Sequence, residues 1–305
     1  MELAPIVLFV YNRLGHIRQT IESLQRNELA KESELYIYSD APRNEGDIES
    51  VEKVRGYIRT IRGFRNILIV ERNENYGLYK SIIDGVTEIL MKYEKIIVLE
   101  DDLETHHQFL DYMNCALKEY NNNKRVFSIT GYSYTTDIED GNVDETFFLK
   151  LTNSWSWATW RDRWTLLDKC ALGWEELKRD SKLRKQFDYN NAYPYTKILE
   201  AQMKREVNTW DILWYWTVFR LDGLTLYPRR SLVRNIGFDG SGVHCTNSGN
   251  DKLLSFDRYN FKMPEDVLEK IEIRQIVAGV LSEKYNLKWH EKIRLRFLKC
   301  MEKVC

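Results

Sequence analysis

The run Lys95-Ile96-Ile97-Val98-Leu99-Glu100-Asp101-Asp102 constrains this 305-residue chain more than any other segment. Its β-branched and aliphatic residues follow one another without polar alternation, as in a parallel strand covered on both faces. The run ends in three acids, and ligands of open α/β sheets sit at the carboxyl ends of such strands. Adjacent carboxylates repel one another, so gathering three of them calls for a compensating cation. Oxygen-only ligands suit Mg²⁺ or Mn²⁺, which bind through one or two carboxylates together with substrate phosphates. A competing reading makes these acids caps of the next helix. However, Thr105-His106-His107-Gln108 has the form of a capping box ahead of Phe109, Met113 and Leu117, which frees Asp101 and Asp102 for a ligand.

Around this run the first half alternates strand and helix. Ile6–Val10, Leu35–Tyr38, Ile67–Val70 and Lys95–Leu99 read as strands, and Ile17–Leu24, Val51–Ile58 and Tyr79–Met91 carry helical spacing. Such βαβ units close right-handed into a parallel sheet. Beyond about residue 125 the rhythm changes. Val126–Thr130, Phe147–Leu151 and Leu224–Tyr227 look like strands, and Thr209 is expected to cap a helix through Ile212–Leu221. Eight of the nine tryptophans fall between Trp155 and Trp216, so the two halves are unlike. The expected fold is α/β, a mostly parallel central sheet flanked by helices. Residues 1–125 would form the parallel half, 126–250 an aromatic-rich half, and 251–305 a C-terminal helical tail.

Several classes are excluded. A net charge of −1 argues against a general nucleic-acid binder. The five cysteines show no CxxC spacing, so neither a zinc site nor a disulfide framework is indicated. Glu2 precedes a short apolar run, which marks a first strand and no signal peptide, and no apolar stretch approaches the ~20 residues of a membrane span. A cytoplasmic setting is expected. In the tail, Trp289, Ile293, Phe297 and Met301 recur every four positions among Lys288, Lys292, Arg294, Arg296, Lys299 and Lys303. That pattern fits a basic helix at the anionic inner face of a membrane, or an apolar stripe docked on the protein's own body.

A metal-binding parallel half joined to an aromatic half suits an enzyme of two substrates. The residues resemble a glycosyltransferase of the GT-A fold. The resemblance is carried by Ile6–Val10 with Tyr11-Asn12-Arg13, by the strand-end Asp40, and by Val98-Leu99-Glu100-Asp101-Asp102. It extends through Ser154-Trp155-Ser156-Trp157-Ala158, Trp210-Asp211 and Gly242-Val243-His244, and so spans about residues 4–245. It is strongest to the inverting N-acetylglucosaminyltransferase I type and to family 2-like bacterial sugar transferases. The resemblance implies transfer of a hexose or N-acetylhexosamine from a UDP-sugar to a glycan or lipid-linked acceptor, in polysaccharide biosynthesis. By position it implies Asp102 as the ligand of Mn²⁺ or Mg²⁺, with Glu100 and Asp101 at the donor sugar or ribose.

Other roles have two readings each. Asp40 would accept from a uracil imide, or would simply form the turn before Ala41-Pro42. Arg13 would pair with a donor phosphate. Lys80 is either a donor contact or a solvated lysine. Asp211 would be the general base, or a first-turn acid favoured by the helix dipole. Trp155 and Trp157 would stack on the acceptor or fill a core. His244, after Gly237, Gly240 and Gly242, would be a second metal ligand, a position without a counterpart in the N-acetylglucosaminyltransferase I pattern. The rivals to a transferase are a sugar-phosphate nucleotidyltransferase and a non-catalytic carbohydrate-binding protein. The first should carry a glycine-rich phosphate loop where this chain has Tyr11-Asn12-Arg13-Leu14-Gly15; the second leaves the acids unexplained.

Overall fold

The computed structural model of the chain describes residues 2–136, 145–239, 254 and 257–283. The first part runs β1 (Ile6–Val10), α1 (Leu14–Gln25), β2 (Glu34–Ser39), α2 (Ile48–Ile58), β3 (Asn66–Glu71), α3 (Gly77–Lys92) and β4 (Lys95–Glu100). The second part contains β5 (Leu103–Thr105), α4 (Phe109–Glu119), β6 (Val126–Thr130), β7 (Thr146–Leu149) and β8 (Trp157–Trp160). Four short helices follow: α5 (Arg161–Trp164), α6 (Glu176–Arg179), α7 (Ser181–Phe187) and α8 (Tyr195–Met203). Then come α9 (Asp211–Arg220), β9 (Leu224–Pro228) and β10 (Val233–Asn235).

The α/β architecture is the expected one. One eight-stranded sheet has the order β3-β2-β1-β4-β8-β6-β9-β7, and β5 pairs with β10 in a separate antiparallel ribbon. Strands β1 to β4 are mutually parallel, and β6 and β9 run the same way; β7 and β8 oppose them. Alternate residues of β1 explain its unbroken apolar sequence. Ile6, Leu8 and Val10 pack with α1, α2 and α4, while Val7 and Phe9 pack with α3 and α9 on the other face.

Two expectations are corrected here. Thr105 caps no helix: it belongs to β5, and its side chain bonds to Ser23 and Asn27, while α4 opens only at Phe109 without a side-chain cap. A local capping signal loses to a strand pairing with β10. The second concerns Trp157. It lies in β8, inserted antiparallel between β4 and β6, and is 1% exposed. Its ring stacks on Trp210 at 5.0 Å and packs against Trp164 and Trp214, so it fills the core and faces no acceptor.

His244, Gly240, Gly242 and the basic stretch from 288 onward lie outside the described residues. Among the described residues, no helix is long and apolar enough to cross a membrane.

Candidate active site

Strand direction brings the chemistry to one edge. Because β1, β2 and β4 are parallel and in register, the segments after Val10, Ser39 and Glu100 emerge side by side. These segments deliver Arg13, Asp40 and the acids Asp101 and Asp102. Strand β8 runs the opposite way, so the residues before it, including Trp155, reach the same edge. Helix α9 precedes β9 and brings Asp211 there at its start.

Arg13 is the cation that the acid cluster required. Its Nη2 donates to Asp101 and to Asp102, the latter at 2.9 Å. The Tyr11 backbone N–H adds a 3.4 Å bond to Asp101. Burial alone would weaken the Arg13 charge, but the two carboxylates outweigh it and hold the guanidinium firmly protonated. Asp101 is 4% exposed, and burial pushes its carboxyl up in spite of Arg13. Glu100 is pushed up to about 8, first by burial and then by the charges of Asp102 and Asp101; Asp211 adds a smaller contribution. Glu100 and Asp211, 111 positions apart in sequence, therefore share one electrostatic environment.

The chain returns to this cluster through β10. The Ile236 N–H donates to the Asp102 backbone carbonyl at 2.8 Å. Gly237 then passes so near that a Cβ would collide with the Asp102 carboxylate and lie 3.1 Å from the Arg13 guanidinium. Only a glycine fits this approach. Beyond it, Asp239 pairs with His16 at 3.3 Å.

Asp40 sits at the end of β2 and pins the turn into α3. Its Oδ1 accepts from the N–H groups of Ala41 (3.0 Å) and Tyr76 (2.8 Å), and its Oδ2 accepts from Gly77 (2.8 Å). This is the turn-forming side of its two readings, although Oδ2 keeps a lone pair for another donor. Lys80 pairs with Asp84 one helical turn on and lies over the Tyr76 ring at 3.7 Å. It behaves as a solvated lysine.

Beside the acids lies a cavity of about 220 Å³. Trp155 and Asp211 both line it, together with Tyr132, Tyr134, Tyr193, Tyr195 and Phe238. Thr209 donates to the Asp211 carboxylate instead of capping α9, whose cap position is Trp210 without a side-chain bond. Asp211 is thus a first-turn acid, as one reading held, and it also opens onto the cavity. The tyrosines escaped the sequence reading because Tyr132 and Tyr134 flank a strand end while Tyr193 and Tyr195 lie some 60 positions later. Only the β6 exit and the start of α8 bring them together.

The acids themselves are compatible with a divalent cation in one way only. Among the described residues, no three acids, histidines or cysteines converge as ligands. The donor set is oxygen-only, and Gly237 leaves Asp102 uncrowded by any side chain of its own. That suits an ion held by one carboxylate and completed by phosphate oxygens.

No protein-family model matches the chain, and no curated protein matches it. Some solved structures are similar. For TarS from S. aureus the identity is 14%, covering 41% of this chain and 21% of that one, with a TM-score of 0.30. The mannosyltransferase from Pyrobaculum calidifontis, solved with GDP-Man and Mn²⁺, gives 13%, 54%, 48% and 0.35 in the same order. A UDP-glucose pyrophosphorylase complexed with UDP-glucose gives 11%, 77%, 94% and 0.40. The match thus spans less than half of the first two chains. Likeness at this level decides neither reaction nor substrate, which rest on the site's own geometry.

Proposed function

We propose that the chain is a metal-assisted inverting glycosyltransferase acting on a UDP-sugar. One observation carries the reading: Arg13, Asp101, Asp102 and Gly237 meet at the sheet edge beside an aromatic cavity that Asp211 lines. A nucleoside diphosphate needs cations and close backbone approach, and Arg13 and Gly237 supply both. A sugar ring needs an apolar face with a few polar groups, and the cavity supplies that. The nucleotidyltransferase alternative would need a phosphate-cradling loop after β1, yet Arg13 is followed directly by α1.

In this reading Asp102 would hold Mn²⁺ or Mg²⁺, which neutralises charge on the departing diphosphate. Arg13 shares that duty by donating to a phosphate oxygen. Asp40 receives the base through its remaining Oδ2 lone pair. Asp211 takes the proton from the acceptor hydroxyl as its oxygen attacks the anomeric carbon; the bond from that carbon to the diphosphate oxygen breaks on the opposite side. The anomeric configuration inverts. The donor sugar is a hexose or N-acetylhexosamine, and the acceptor belongs to a glycan or a lipid-linked precursor.

Incubation with a panel of UDP-sugars, Mn²⁺ and simple glycosides, read by mass spectrometry, tests this directly. A glycoside heavier by one sugar residue is expected, with an inverted linkage by NMR. Asp211→Asn should lower turnover by ~10²–10⁴, the usual range for a general base, while UDP still binds. Normal turnover by Asp211→Asn, or a product of retained configuration, would reject the mechanism.

A further inference from the structure

The carboxylate assigned to proton removal is held by a neighbouring hydroxyl. Asp211 opens α9, and the terminal torsion of an aspartate is broad and two-fold, so its own helix does not decide which oxygen faces the cavity. Thr209 decides it: its hydroxyl donates to Asp211 Oδ1. Threonine is β-branched and stiff at its first torsion, which suits a hydroxyl that must keep one direction. The Thr209 backbone is fixed in turn, since its N–H donates to Gln202 Oε1 at 2.8 Å. Gln202 belongs to α8, where helical spacing puts it on one face with Tyr195 and Ile198. Tyr195 and Ile198 line the same cavity as Asp211. One face of α8 therefore supplies both a wall of the cavity and the anchor of the Thr209 turn.

We propose that Thr209 is a positioning residue for proton removal: it occupies Oδ1 of Asp211 and leaves Oδ2 to receive the proton of the acceptor hydroxyl. The proposal rests on the transferase reading and deepens its general-base step. The acceptor O–H bond breaks toward Oδ2 as its oxygen bonds to the anomeric carbon, and the diphosphate leaves with the electron pair of the bond it loses. A threonine ahead of a helix stabilises it best by accepting from an N–H of the first turn. Thr209 does otherwise: the cap position of α9 is Trp210 with no side-chain bond, and the Thr209 hydroxyl is spent on the carboxylate. Two effects of that bond oppose each other. A donor to the charged form makes a carboxylate a weaker base, and it also fixes the carboxylate plane. Orientation outweighs basicity, because a misplacement of ~1 Å costs up to about 10²-fold in rate, while basicity enters the rate only in part.

Steady-state kinetics of the full chain test the proposal, with Mn²⁺ and the UDP-sugar and glycoside that give product in the mass-spectrometric panel. Thr209→Val keeps the branched shape and removes the donor. Its kcat should fall about tenfold, with both KM values within about twofold of the parent and a melting temperature within a few degrees. Thr209→Ser, which restores the donor, should recover most of the lost kcat. In an Asp211→Asn background Thr209→Val should cost nothing further, as for two groups that act as one unit. A parent-like kcat in Thr209→Val, equal losses in the valine and serine variants, or losses that multiply in the double variant would overturn the proposal. The transferase reading fails separately. Asp211→Asn turning over normally, or no product from any UDP-sugar, removes the general base itself; an impaired Asp211→Asn beside a normal Thr209→Val removes only the role of Thr209.

Discussion

A single guanidinium nitrogen, Nη2 of Arg13, donates to Asp101 and to Asp102 at once, tying the exit of β1 to the exit of β4. The pair Arg13–Asp101 is largely withdrawn from solvent, with side-chain exposures of 19% and 6%. Breaking a buried pair by removing one partner leaves an uncompensated charge and costs roughly 3–5 kcal/mol. Arg13→Gln should therefore destabilise the protein by about that order, discounted somewhat for the partial exposure of Arg13. Urea denaturation measures it. Arg13→Lys should recover only part of the loss, because an ammonium is more strongly hydrated than a guanidinium and costs more to withdraw from water. Equal stability of Arg13→Gln and the parent would mean that another cation neutralises the acids.

The acid cluster also gives stability a definite pH dependence. The carboxyl of Glu100 titrates near 8 in the folded protein, above its ordinary value of 4.5. Between those values the folded state keeps a proton that the unfolded chain has released. The favourable contribution is complete below about pH 4.5 and is lost as pH rises through about 8. Asp101, also pushed up, acts in the same direction. Melting temperatures between pH 5 and pH 9 should fall more steeply, on the order of degrees, in the parent than in Glu100→Gln. Parallel curves for the two proteins would contradict the assignment.

Two tryptophans two positions apart should respond in opposite ways. Trp157→Ala removes a ring from the core between β4, α5 and α9, and large-to-small changes of this kind cost ~3–5 kcal/mol. Trp155 is half-buried on the cavity wall, so Trp155→Ala should leave the melting temperature within a few degrees, the range of most surface changes. Its loss should fall on sugar binding. Thermal melts alongside NMR titration distinguish the two. A destabilised Trp155→Ala with intact sugar binding would reverse the roles.

The parallel half was readable because each strand is an unbroken apolar run and each crossover helix has a clear period. β1 and β6 have the expected bounds, and β2, β3 and β4 extend the expected strands by one or two residues. What escaped is non-local. Trp157–Trp160 alternates no more clearly than a core helix would, and only its pairing with Ile96–Val98 makes it a strand. β5 and β10 are three residues each, too short to leave a period. In the site, the strand-end position of Asp101 and Asp102 was legible, and so was the need for a cation. That Arg13 supplies the cation depends on β1 lying beside β4, a fact of topology. Likewise Gly237 stood out as a glycine, while its contact with Asp102 follows from β10 pairing with β5.

Whether Asp102 and Arg13 receive a metal-bound diphosphate decides the proposed reaction. Calorimetric titration of UDP into the protein, with Mn²⁺ and then with excess chelator, measures this most directly. The prediction is binding that strengthens at least about tenfold with Mn²⁺, a difference of ~1.4 kcal/mol. Asp102→Asn should abolish the gain while melting within a few degrees of the parent, because Arg13 retains Asp101 as its partner. UDP binding of equal strength in chelator and in Mn²⁺, or a full metal response in Asp102→Asn, would contradict it.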